Sequence, residues 1–290
     1  MIIKSEYLYM VKCEIKSFFL RKKVLKHLES VKSEEIDIVC QHIRKKNKLP
    51  IIPYDYVAEY NRLNIDIRRD NDNGLFYIVE DGKKLYLQKR FFLKAHARRY
   101  YKNICIEQDL RSPHAYTSDN FNVDDGCVLM DIGAAEGIFV LRNIDRISEA
   151  YIFECDDRWI EALEYTFADY RDKVHIIKKY VGDKNEGEYI RLDDFKEISD
   201  IEHKKLFVKM DIEGAETIAL SNAVGFLSSS AQTKLAVCAY HRSEHEKIIR
   251  SMFENYKVST SEGYMFFYYD KQFESPYIRR GVLRIDLKNK

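Results

Sequence analysis

The chain has 290 residues, 46% of them hydrophobic and 33% charged, with a formal net charge of +1. That balance supports one large core with a smaller accessory one, and no apolar run reaches the roughly 18 residues that would span a bilayer. The opening stretch, MIIKSEYLYMVKCEIKSFF, has charges scattered through it and no uninterrupted apolar segment of the signal-peptide kind, so a cytoplasmic location is expected.

Residues 5–47 read as helices, because Val11, Ile15, Phe18, Phe19, Val24, Leu25 and Leu28 recur at helical spacing with basic residues between them. The near-neutral total hides an asymmetry: residues 1–110 carry 23 Lys+Arg against 15 Asp+Glu, and the remainder 25 against 32. A basic front half suits an anionic partner, such as a polysaccharide, a lipid-linked sugar or a membrane surface; the plainer alternative is a solvated helix face. Next, LFYIVEDGKKLYLQKRFF sets Asp81-Gly82 between two alternating runs, which predicts a β-hairpin. A helix is expected from about Phe92 to Ile106. The phrase RSPHAYTSDNFNVDDG then supplies Pro, Ser, Asp and Gly, which sets an expected domain boundary near residue 110.

Beyond that point strands and helices alternate. The expected strands are CVLMDI (127–132), AYIFEC (150–155), VHIIKKY (174–180), LFVKMDI (206–212) and LAVCAY (235–240), and the aromatic run GYMFFYYD is expected to add a strand at the sheet's edge. Short apolar strands separated by helices imply a parallel sheet covered on both faces. The expectation is therefore an α/β, doubly wound, mostly parallel sheet (residues 111–290) carrying a smaller helical-plus-hairpin N-terminal region (residues 1–110). That region would act as a substrate cap or an oligomerisation surface, and a homo-oligomer is compatible with it. The six cysteines form no CxxC pair and are expected to be reduced.

Three stretches carry chemistry. In VLMDIGAAEGIFV, Asp131 ends an apolar strand, and Gly133, Ala134, Ala135, Glu136 and Gly137 turn the chain into a helix. Such a turn offers small residues and free helix N–H groups to a ligand. Glu154 ends the next strand about 20 residues on, where an acid usually meets ribose hydroxyls. A dinucleotide fingerprint would need a central glycine that this turn lacks, whereas acids at 131 and 136 suit a cationic ligand such as S-adenosylmethionine (SAM). The second stretch, LFVKMDIEGAE, brings Lys209, Asp211, Glu213 and Glu216 to one strand end, a costly concentration of charge without a task or partner. In the third, LAVCAYHRSEHEK, Tyr240, His241 and Arg242 stand at a strand's carboxyl end. A histidine there titrates near neutrality and is suited to accept a proton.

With these residues in this order, DIGAAEG, IFECD, YIRLDDF, KMDIEGAE and CAYHR, the chain resembles the FkbM family of SAM-dependent methyltransferases over roughly residues 105–290. EQDLRSPHAYTSDNF resembles the segment that leads into that family's SAM-binding core in one of its branches. The resemblance implies a class I methyltransferase fold and O-methylation of a hydroxyl on a sugar, polysaccharide or secondary metabolite. It implies that Asp131, Gly133, Ala134, Ala135, Glu136 and Gly137 hold SAM, that Glu154 takes its ribose and that Asp183 meets its adenine. Arg191 stands where the family commonly has a threonine. Catalysis is expected from His241 as general base with Asp211 and Glu213, and substrate contacts from His114, Tyr116, Tyr240 and Arg242. A divalent ion at Asp211 is the other route to an activated alcohol, although no metal ligand set is assigned. The expected acceptor is a small molecule or glycan, not a nucleic acid. The competing functions are a non-catalytic SAM- or nucleotide-binding module and a dinucleotide-dependent oxidoreductase.

Overall fold

The computed structural model describes residues 2–198 and 200–288. The chain opens with α1 (Ile2–Leu28), α2 (Glu34–Arg44) and α3 (Val57–Arg62), followed by a small antiparallel sheet of β1 (Arg68–Arg69), β2 (Phe76–Glu80) and β3 (Lys83–Tyr86). Asp81 and Gly82 both take positive φ, the conformation that a tight two-residue hairpin turn demands. Then come α4 (Lys94–Glu107), β4 (Val128–Ile132), α5 (Ile138–Asn143), β5 (Glu149–Phe153), α6 (Asp157–Thr166), β6 (Val174–Ile177) and the short pair β7 (Tyr180–Val181) and β8 (Tyr189–Ile190). β9 (Lys205–Met210), α7 (Glu216–Leu220), α8 (Val224–Ser228), β10 (Gln232–Cys238), α9 (His245–Met252), β11 (Lys257–Thr260) and β12 (Val282–Lys288) complete it.

Among the described residues, seven strands form one sheet in the order β11-β12-β10-β9-β4-β5-β6. All the pairings are parallel except those of β12, which runs antiparallel to β10 on one side and β11 on the other. With helices on both faces, this is the class I methyltransferase fold, a Rossmann-like doubly wound sheet. β4 lies in its interior between β9 and β5, and all five of its residues are buried. Alternation along the strands divides the core in two. Leu129, Ile152, Phe207 and Ala236 pack towards α4, α5, α6 and the hairpin, and Val128, Met130, Val208 and Leu235 pack towards α7, α8 and α9.

The first of these cores runs through residue 110 without a break, joining Ile78, Leu85 and Ile104 to Leu129 and Phe139. A third cluster joins α1 and α2 to Phe266, Tyr268 and Phe273 near the carboxyl end.

The aromatic run GYMFFYYD is not a strand. Its backbone bonds to Ile51 and to Arg279, and the strands that extend the sheet come from KVST and VLRIDLK instead. The run still alternates like a strand: Phe266 and Tyr268 enter the α1–α2 core, while Phe267 and Tyr269 line a cavity. The period of two records two buried sides, although the backbone turns on itself here, the Tyr268 amide donating to the Phe266 carbonyl and the Asp270 amide to that of Phe267. No helix among the described residues is long and apolar enough to cross a membrane.

Candidate active site

The chain leaves β4 towards β5 and β6 on one side and returns through β9 to β10 on the other. Ligands of doubly wound sheets bind at such a switch point, beyond the strands' carboxyl ends. A cavity of about 700 Å³ opens there. Its floor is a buried ion pair. Parallel register sets Asp131 of β4 beside Lys209 of β9, with Lys209 Nζ 2.9 Å from Asp131 Oδ1. Burial pushes the Asp131 carboxyl up while Lys209 pulls it down. The same ammonium also donates to the Gly133 carbonyl, so one lysine ties the strand to its turn.

In the turn after β4, Gly133, Ala135 and Gly137 all have positive φ. A Cβ on Gly133 would lie 2.0 Å from the Asp211 carbonyl oxygen, and one on Gly137 would lie 2.7 Å from Leu163 and 2.8 Å from Phe167. The space that these glycines leave is therefore filled by protein, not held open for a ligand. What the turn presents to the cavity is backbone, together with the buried Glu136 side chain. Glu136 accepts a hydrogen bond of 2.6 Å from the Tyr100 hydroxyl, and burial pushes its carboxyl up to about 7. Glu154 faces its own loop, accepting from the amides of Ala135 at 2.9 Å and of Cys155 and Asp156 at 2.8 Å. It braces the turn to the end of β5.

The turn after β9 is built differently. Glu216, fully buried, accepts from the amides of Ile212 at 3.0 Å and Gly214 at 3.3 Å. Its two oxygens also approach His241 Nδ1 at 2.9 Å and His245 Nδ1 at 3.3 Å. His241 Nε2 in turn lies 3.5 Å from both Asp211 and Glu213. Asp211 accepts 2.9 Å from the Tyr116 hydroxyl and lies 3.4 Å from His114 Nε2. His114 and Tyr240 share a 3.2 Å contact. Burial alone would raise the Asp211 carboxyl, but the His114 hydrogen bond and the charges of His114, His241 and Lys209 hold it well below the usual carboxylate range. Glu213, at φ 55, is a strained non-glycine residue of the kind that collects at functional sites.

No family model matches the sequence, and no curated protein sequence does. Solved structures similar in fold include the methyltransferase FkbM of Methylobacillus flagellatus KT (21% identity, 58% of this chain and 45% of that one, TM-score 0.44). They also include precorrin-6y C5,15-methyltransferase of Geobacter metallireducens GS-15 (14%, 72% and 96%, TM-score 0.38) and a putative tRNA (m1A22) methyltransferase of Streptococcus pneumoniae (12%, 57% and 64%, TM-score 0.37). The chain spans less than half the length of the FkbM structure. At these values the fold assignment rests on the strand order.

The structure draws most of the sequence-derived residues together. Asp131, Gly133, Ala134, Ala135, Glu136, Asp211, Glu213, His114, Tyr116 and Tyr240 all border the one cavity. Asp183 is exposed, just beyond β7, and Arg242 pairs with Asp270 at 3.0 Å in the aromatic segment.

The general-base expectation for His241 needs correction. The imidazole is 2% exposed. Burial disfavours its charged form, but Glu213, Glu216 and Asp211 outweigh burial and push it up to about 10. A histidine so placed is an imidazolium at neutral pH and has no lone pair with which to take a proton.

Sequence reasoning missed Tyr9, Ile51, Tyr100 and Glu107, which form the wall opposite the strand ends. Burial raises the Glu107 carboxyl. Helical periodicity marks the buried face of α4 but carries no signal of what that face is packed against. Ligand-type atoms of His114, Asp211 and Cys238, and of Asp211, Glu216 and His241, come within 4.8 Å of one another. Neither set is the all-oxygen shell that magnesium favours.

Proposed function

We propose that the chain is a SAM-dependent O-methyltransferase acting on a hydroxyl of a sugar, polysaccharide or secondary metabolite. The observation that carries this reading is the junction of two chemically distinct turns at one cavity, an acid-bearing glycine turn after β4 and an imidazole–carboxylate cluster after β9. Glu136 and the aromatic walls of Tyr100, Tyr116 and Phe139 suit a ligand carrying a sulfonium and an ammonium group. SAM, when bound, supplies a methyl group already activated for displacement.

The protein's share is alignment and proton handling. Holding an oxygen within about 3–3.5 Å of the reacting carbon accounts for much of such a rate. Asp211, kept ionised, accepts a hydrogen bond from the acceptor hydroxyl and orients it. His114 borders the cavity directly, with its Nε2 3.4 Å from Asp211. The two form the proton-handling pair in this reading, while His241 and Glu216 hold Asp211 in place. The acidic lining formed by Glu107, Glu136, Asp211 and Glu213 favours a neutral or cationic acceptor over a polyanion such as RNA.

Calorimetric titration with SAM, S-adenosylhomocysteine and NAD, with and without magnesium, tests the cofactor. Micromolar binding of the two sulfur nucleotides is expected, with loss in Glu154→Ala as the loop brace goes. Binding of NAD alone, or of none of the three, would sink the reading. Transfer of labelled methyl from SAM to a panel of glycans and hydroxylated metabolites tests the reaction. SAM binding without transfer to any of them would leave a non-catalytic binding module as the better description.

A further inference from the structure

The first helix has two faces of opposite kind. Cys13, Ser17, Leu20, Val24 and Leu28 are buried against α2 and the carboxyl-terminal aromatic segment. The outward face is nonetheless apolar at its centre: Ile15 is 55%, Phe18 52% and Phe19 77% exposed. At helical spacing these three residues form a single stripe. Lys12, Lys16, Lys22, Lys23 and Lys26 surround it, all exposed. Between Tyr9 and Leu28 the only acid is Glu14. Its side chain is turned inward to the hydroxyls of Tyr268 at 3.1 Å and Tyr269 at 2.9 Å and to Lys48.

We infer that this outward face of α1 docks on an anionic lipid surface, with Ile15, Phe18 and Phe19 entering the headgroup boundary and the lysines meeting the lipid charges. An apolar stripe flanked by lysines with no opposing acid is the pattern of an interfacial helix. A second copy of the chain fits less well. A two-fold contact centred on Phe18 would bring the lysines of both copies together without a compensating acid. Nucleic acid would use the lysines but leaves the apolar centre without a partner. Tyr9 of the same helix reaches the cavity from the inward side, its hydroxyl donating to the Tyr269 carbonyl. The inference does not depend on methyl transfer.

Co-sedimentation of the full chain with vesicles tests it. Strong binding is expected to vesicles of equal parts phosphatidylglycerol and phosphatidylcholine, and little to phosphatidylcholine alone. Raising the salt should weaken it. The double variants Phe18→Ser/Phe19→Ser and Lys22→Glu/Lys26→Glu should each weaken it by roughly tenfold or more. All four side chains are exposed, so both variants should keep the wild-type melting temperature. Three results would overturn the inference: no binding to the anionic vesicles, binding that survives Phe18→Ser/Phe19→Ser intact, or a wild-type dimer in sedimentation velocity that this variant splits.

Discussion

The two turns that meet at the cavity look alike in sequence, DIGAAEG after β4 and DIEGAE after β9, yet they are held by opposite means. The first is shaped by what its glycines lack: the Asp211 carbonyl occupies the space at Gly133, and Leu163 and Phe167 the space at Gly137. The second is shaped by what Glu216 supplies, a buried carboxylate that gathers two amides and two imidazoles. The first turn is a packed platform that offers backbone and one acid. The second is a charge network in which every member sets the protonation of the next. Damage to the platform should therefore destabilise the protein, and damage to the network should change how it responds to pH.

The largest effect is expected at the point where the two turns touch. Gly133→Ala puts a methyl group into a backbone oxygen and should cost about 3 kcal/mol, the upper end for an overpacked site, read as a fall in denaturation midpoint together with lost SAM binding. A variant as stable as wild type would mean that the turns are not in contact. Asp211→Asn should be next. Methyl transfer to an accepted substrate should fall by roughly 10²–10³-fold while SAM affinity stays close to wild type, and the melting temperature at neutral pH should drop because the depressed Asp211 carboxyl stabilises the fold there. Parallel loss of SAM binding would place Asp211 in the platform instead.

Glu216→Gln sharpens the contrast through pH. The His241 pKa in the folded protein, about 10, lies above the ordinary histidine value near 6.5. Its contribution to stability is therefore complete below about pH 6.5 and is lost as pH rises through about 10. The variant should bring the imidazole titration, followed by NMR, down towards neutrality and flatten that alkaline loss. An unmoved His241 titration would mean that Glu216 only caps the turn.

The smallest effect is expected from Glu136→Gln. The raised Glu136 carboxyl, at about 7, works in the same direction: the folded state is favoured below the ordinary glutamate range and loses that advantage as pH rises through about 7. Wild-type SAM affinity should tighten by up to roughly tenfold across that range as Glu136 ionises. The variant should show a flat profile and a higher melting temperature at pH 8 than wild type. The same pH dependence in both proteins would remove Glu136 from the cofactor site.

Much of the sheet was legible because its information is local. The apolar strands, the Asp81-Gly82 hairpin and the glycine turns are written in residues close together in the chain, as period, propensity and turn chemistry. GYMFFYYD misled for the same reason: its alternation records two buried sides, and only the partners of its backbone, Ile51 and Arg279, decide that it is not a sheet strand. The sequence by itself determined which residue types stand at the strand ends, and so brought Asp131, Glu136, Asp211 and His241 into view. Tertiary structure decided what each can do. It set three carboxylates around His241 and so took away the neutral imidazole expected there. It filled the glycine spaces with protein and brought Tyr9, Tyr100 and Glu107 across the cavity. Protonation and access depend on neighbours within a few ångströms in space, and those neighbours lie far apart in the chain.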